Sequence, residues 1–246
     1  MVGEEVGGYL HSIETMGTLD NGGLRVVVFL SGCPMRCGFC HNPDTWLLRG
    51  RRVTVAQVLP EILPYQTYFR LSGGGVTVSG GEPLLQYKFV AALLAACGRE
   101  HIHRALDTSG YCRRGHLEEI LPHTDLVLFS LKVINPDKHR ALTGCDNAAI
   151  LANLRQVAAS PVALKIRYVL LPTVNDSPAD LQELAGVMAG LPRAVAVQIL
   201  PYHRLGVKKW EELGWEYPLG NVPAASAEQV RQAAAFLREA GVAVQV

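Results

Sequence analysis

The feature that most constrains this chain is a sixfold alternation of short aliphatic runs with longer segments of helical periodicity. The runs are LRVVVFLS (24–31), VTVS (76–79), RALDTS (104–109), DLVLFSLK (125–132), ALKIRYVLLP (163–172) and AVAVQILPYH (194–203). Between and after them lie segments with apolar residues at helical spacing, over 54–69, 84–100, 113–121, 147–159, 177–190 and 226–240. Near-continuous apolar strands separated by helices imply a parallel sheet with right-handed crossovers. Ser177 and Ser226 suit helix starts, and Gly190 and Gly241 suit helix ends. Pro60 and Pro64 fall inside the first helical segment and predict a kink or a break.

Six units rather than eight predict a partial, open (β/α)6 barrel of the TIM type, with a doubly wound sheet as the alternative. The unusual residues argue for the barrel. Cys33, Cys37 and Cys40 follow the first strand and Gly80, Gly81 and Glu82 the second. Asp107 ends the third, Lys132 the fourth, Arg167 lies within the fifth, and His203 closes the sixth. Barrel enzymes keep their chemistry at the carboxyl ends of the strands, where such residues converge. No linker or low-complexity stretch divides the 246 residues, so a single domain is expected, with a core over about 24–203. The segment 1–23 and the helix 226–240 would pack on it.

Composition excludes several classes. A formal net charge of +1 gives no general field for nucleic acid. The short basic runs (Arg49, Arg51 and Arg52; Arg113 and Arg114; Lys208 and Lys209) read as solvated surface. The longest apolar run, FVAALLAAC at 89–97, is too short to span a bilayer, and the N-terminus has no apolar leader. Six cysteines in such a chain argue against a disulfide scaffold and for a reducing, cytoplasmic setting.

The cysteines at 33, 37 and 40 are spaced C-x3-C-x2-C and followed by His41. Thiolates on a tight loop select zinc, copper(I) or an iron–sulfur centre. A closed zinc site would need His41 as fourth ligand, and adjacent side chains rarely reach one metal; no C-x2-C partner follows. The ferredoxin spacing is absent as well. Cys97, Cys112 and Cys145 are scattered singly and read as small buried side chains. The remaining reading is a [4Fe–4S] cluster with three cysteine ligands and one open iron.

CPMRCGFC, with Phe39 before its third cysteine, resembles the signature of the radical S-adenosylmethionine enzymes. The resemblance implies a cluster held by Cys33, Cys37 and Cys40, with S-adenosylmethionine on the open iron. It also implies that Gly80-Gly81-Glu82 binds the methionyl amino group, where glycine lets backbone approach a ligand closely. Phe39, His41, Lys132 and His203 would surround the cofactor. Asp107, with Thr108, could bind ribose or a cation, and Arg167 could join Lys132 in neutralising the methionyl carboxylate.

HSIETMGTLD, SGGGVTVSGGEPLLQ, LDTSGY, IRYVLLP and LPYHRLGVKKW extend the similarity to the activating enzymes of glycyl radical enzymes, over nearly the whole chain. Residues 41–96 lack cysteine, which points to the single-cluster, pyruvate formate-lyase type. The implied partners are that lyase as protein substrate and flavodoxin, or a similar one-electron donor. Two departures stand out. Ser130-Leu131-Lys132 replaces the usual Asp-Leu-Lys, putting a monovalent cation site in doubt, and Asp20-Asn21-Gly22-Gly23 lacks the usual proline. A radical enzyme acting on a small molecule such as a 7-deazaguanine precursor is the alternative, and a non-catalytic zinc or electron-transfer protein a third.

Overall fold

Each of the six aliphatic runs is a strand. The computed structural model describes residues 6–18 and 22–246. Asp20 and Asn21 of the altered N-terminal loop lie outside them. The chain divides into two compact units, the described part of Met1–Pro34 with Thr45–Leu128, and Met35–Asp44 with Phe129–Val246.

The first unit contains β1 (Gly7–Gly17), β2 (Arg25–Leu30), β3 (Arg51–Thr54), α1 (Val55–Ile62), α2 (Gln66–Ser72), β4 (Gly75–Gly80), α3 (Tyr87–Arg99), β5 (Arg104–Thr108) and α4 (Arg114–Ile120). Its central pairs are parallel: β2 runs beside β4 from Arg25↔Gly75 to Leu30↔Gly80, and β4 beside β5 from Val76↔Arg104. The alternation missed β1, which pairs antiparallel with β2 and β3. Only some of its positions are buried, so GGYLHSIETMG lacks the continuous apolar run that marks the inner strands.

Val26, Val28, Leu30, Val76 and Val78 are fully buried, as are Val90, Leu93 and Leu94 of α3. Each such side chain contributes about 1.5–3 kcal/mol relative to exposure. The proline pair divides the first helical segment as expected. α1 stops at Ile62, a 3-10 turn spans Leu63–Tyr65, and α2 follows.

β6 (Leu126–Leu131) contributes residues to both units. The second unit continues with α5 (Pro136–Thr143), α6 (Ala148–Ala159), β7 (Ala163–Leu170), α7 (Pro178–Ala189), β8 (Val197–Pro201), α8 (Val207–Glu212), α9 (Ala227–Glu239) and β9 (Val244–Gln245). β7, β8 and β9 are mutually parallel. The caps read from sequence are present: Ser177 accepts from the Asp180 amide at 3.2 Å, and Ser226 forms a capping box with Gln229. Strand order is β3-β1-β2-β4-β5-β6-β7-β8-β9, with β3 and β9 at its two ends. The fold is α/β, mostly parallel and open, in the order of a partial barrel. Among the described residues no helix is long and apolar enough to cross a membrane.

Candidate active site

In the first unit, parallel pairing brings the carboxyl ends of β2, β4 and β5 side by side, with the residues singled out there. After β2 the chain turns at Gly32, whose amide donates to the Thr45 carbonyl (2.7 Å), while the Cys33 amide donates to Trp46 (3.0 Å). After β4, the amides of Gly81 and Glu82 donate to the carbonyls of Leu30 (2.8 Å) and Gly32 (2.9 Å). The backbones are in close contact. A Cβ on Gly81 would lie 2.2 Å from the Gly32 carbonyl oxygen and 3.1 Å from the Cys33 Cβ. Gly80 has φ +123°, and a Cβ there would lie 2.2 Å from Leu30 backbone atoms. Only glycine can bring this turn so close to the cysteine.

Glu82 is 1% exposed. Its carboxylate accepts from the Leu84 amide (3.1 Å), the Thr108 hydroxyl (2.5 Å), the Ser109 amide (2.9 Å) and the Ser109 hydroxyl (2.5 Å). Burial pushes its carboxyl above the usual range, and the bonds from Ser109 and Thr108 oppose that rise. The side chain thus fastens the Gly-Gly turn to the end of β5. Asp107 accepts from the Ser79 hydroxyl (3.0 Å), one residue before Gly80.

The second unit carries Cys37, Cys40 and His41 on Met35–Asp44. The amides of Arg36 and Gly38 donate to the carbonyls of Thr143 (2.7 Å) and Leu142 (2.9 Å), tying this loop to the end of α5. Phe39 is buried with Val133, Leu142, Leu171 and Tyr202, and Cys37 packs against the same cluster. The Lys132 ammonium lies 5.4 Å from the centre of the Phe39 ring. The His41 and His203 rings are 4.5 Å apart. Burial, then the neighbouring His203, lowers the His41 pKa, favouring neutral imidazole. Ser130 and Leu131 lie on β6, Leu131 buried in the core, and Arg167 lies on β7.

Cys40 donates its amide to the Cys37 carbonyl (3.0 Å), closing a turn between the two cysteines. Burial pushes the Cys37 thiol up to about 12, against the lowering effect of Lys132. A group binding as thiolate here must bring its own positive charge, which suits a soft metal centre. Among the described residues no three His, Cys, Asp or Glu side chains stand as a preassembled metal cage.

The chain matches the model of the Radical SAM superfamily over residues 27–185. It belongs to that superfamily. It is also 45% identical over 234 residues to the pyruvate formate-lyase-activating enzyme of Staphylococcus epidermidis, covering 92% of this chain and 93% of that one. A Staphylococcus aureus (strain USA300) enzyme of the same name is 45% identical over 242 residues, covering 95% and 96%. A crystal structure of a domain of pyruvate-formate lyase-activating enzyme from Bacteroides vulgatus superposes with TM-score 0.60 at 31% identity, covering 70% of this chain and 98% of that domain. A radical SAM methyltransferase from Sphaerobacter thermophilus shares the fold, with TM-score 0.66 at 22% identity over 90% of this chain and 66% of that one. The chain is a radical SAM enzyme of the pyruvate formate-lyase-activating family.

Three features of this radical SAM enzyme escaped the sequence reading. Asn175, fully buried, donates to the carbonyls of Lys132 and Val169 (both 2.9 Å) and accepts from the Leu171 amide (2.7 Å), locking the backbone at Lys132. Lys209, expected as solvated surface, donates to Asn42 (2.8 Å) and pairs with Asp44 (3.2 Å). Trp210 donates its indole N–H to the Cys40 carbonyl (2.9 Å). The signal for the last two was their place in LPYHRLGVKKW; a six-residue helix has too few turns to show periodicity.

Proposed function

We propose that this enzyme activates pyruvate formate-lyase, or a close glycyl radical enzyme, by removing hydrogen from the Cα of a backbone glycine in its partner. The observation that carries the proposal is the C-x3-C-x2-C loop, intact in a chain that matches its activating-enzyme relatives over nearly their whole length. Absence of cysteine from 41–96 supports the single-cluster type.

In this reading Cys33, Cys37 and Cys40 hold a [4Fe–4S] cluster. The Gly80-Gly81 backbone receives the amino group of S-adenosylmethionine, held in place by Glu82 through Thr108 and Ser109. Lys132 and Arg167 offer positive charge to the carboxylate. Phe39, His41 and His203, with the backbone of Ser130 and Leu131, line the cofactor, and Asp107 takes ribose hydroxyls. The cluster, once bound, would supply the one-electron reduction that cleaves the C5′–S bond of S-adenosylmethionine to methionine and a 5′-deoxyadenosyl radical, which would take the glycine hydrogen and leave 5′-deoxyadenosine and a glycyl radical. Flavodoxin, or a similar cytoplasmic one-electron donor, supplies the electron. The whole chain acts as one domain. The neutral Ser130, where the usual residue is aspartate, puts a monovalent cation site in doubt.

The test uses lyase carrying deuterium at glycine Cα, incubated anaerobically with the reconstituted enzyme, reductant and S-adenosylmethionine. Deuterium should appear in 5′-deoxyadenosine, read by mass spectrometry. Deoxyadenosine without deuterium would contradict the glycine as hydrogen donor.

A further inference from the structure

Helix α8 holds the cysteine loop at three successive points. The Trp210 indole N–H donates to the Cys40 carbonyl, and the Lys209 ammonium bonds the side chains of Asn42 and Asp44. At the start of the helix, Gly206 lies so close that a Cβ would come within 2.7 Å of the His41 ring. The Trp210 ring is itself fixed. It is 4% exposed, stands edge-on to Tyr217 (5.4 Å, 84°) and Trp215 (6.2 Å, 74°), and its carbonyl accepts from the Trp215 amide (2.9 Å). Tyr217 in turn shares a 2.7 Å hydroxyl contact with Tyr202, which donates its amide to the Leu170 carbonyl at the end of β7. The donor on Cys40 is therefore anchored to the sheet rather than to the loop it holds.

We infer that Trp210 is a positioning residue for the iron–sulfur centre, and that its hydrogen bond to the Cys40 carbonyl raises the centre's reduction potential. The inference rests on the proposed ligation by Cys40. An N–H aimed into a ligand loop presents the positive end of its dipole there and neutralises part of the carbonyl's negative end. Both effects favour the more negative, reduced state, and hydrogen bonding beyond the first ligands is a recognised lever on such potentials. Without the N–H the Cys40 carbonyl would lose this donor, so the reduced state would be harder to reach.

The decisive comparison is between wild type and Trp210→Phe, which keeps a ring and removes the donor. Both are reconstituted anaerobically, assayed for iron and sulfide, and titrated redox-wise with the reduced centre followed by electron paramagnetic resonance. Trp210→Phe should hold the same iron and sulfide, show a more negative midpoint and altered g-values, while Trp215→Phe keeps the wild-type midpoint. An unchanged midpoint and spectrum in Trp210→Phe would overturn the inference. Should that variant take up no iron, Asn42→Ala decides. It loosens the loop by removing the Lys209 contact without changing the charge, and leaves the N–H bond, so a wild-type midpoint supports Trp210 and a shifted one contradicts it. A wild type that binds no iron and sulfide would overturn the ligation, and this inference with it.

Discussion

Glu82 and Ser109 meet through two hydrogen bonds to one carboxylate oxygen, from the Ser109 amide at 2.9 Å and its hydroxyl at 2.5 Å. The pair joins the Gly-Gly turn after β4 to the end of β5, across a separation of 27 residues. Glu82→Gln places an amide where only an acceptor fits and should cost about 1–3 kcal/mol. Thermal unfolding would report it as a loss of about 2–4 °C per kcal/mol for a chain of this length. Ser109→Ala should lose part of that, and Ser109→Thr should stay near wild type. Unchanged melting in Glu82→Gln would contradict the fastening role.

The cysteines divide into two kinds. Cys33→Ala, Cys37→Ala and Cys40→Ala should each bring iron and sulfide near zero after reconstitution. Cys97 is fully buried, and Cys97→Ala should keep full iron at a cost of about 1 kcal/mol, from the small cavity left. Elemental analysis of the four variants checks this; full iron in any of the first three would remove that residue from the ligand set.

Cys37 should resist alkylation in protein stripped of metal. With its thiol at about 12 against an ordinary 9.0, its thiolate fraction at pH 8 is lower by about a thousandfold. Peptide mapping after iodoacetamide should find it the slower partner of an ordinary exposed thiol. Rapid labelling would show that the Met35–Asp44 loop opens without its metal.

Stability should fall as pH drops from 7.5 to 5.5. His139 is 1% exposed, its Nδ1 donating to the Cys145 carbonyl at 2.8 Å, and burial lowers its pKa against the raising effect of that bond. His103 is lowered by burial and then by Arg25. The unfolded chain binds these protons more readily, so the stability is present above the ordinary histidine value and lost below it. Each histidine contributes a slope of at most about 1.4 kcal/mol per pH unit. His103→Gln should flatten the dependence of melting temperature on pH; a slope unchanged by that variant would contradict it.

The sheet was legible because its inner strands are buried on both faces. Val26 to Val28, Val76 to Val78 and Leu126 to Phe129 are buried at every position, and Thr77 alone among them is polar. β1 was not legible, since its half-exposed pattern resembles that of an ordinary surface segment. The cysteine loop and the Gly-Gly-Glu turn could be found from residue type and spacing. Their supports could not. That Glu82 is consumed by Thr108 and Ser109, that Asn175 locks Lys132, and that Trp210 holds Cys40 depend on tertiary contacts between residues far apart in sequence. Sequence pattern reports which face of an element is buried; it does not report which distant donor meets which acceptor.

The most direct measurement is electron paramagnetic resonance of pyruvate formate-lyase after anaerobic incubation with this enzyme, reductant and S-adenosylmethionine. A glycyl radical doublet is expected that requires all components and is lost with Cys37→Ala. A fully loaded enzyme that produces no doublet with this lyase or any close glycyl radical relative would contradict it.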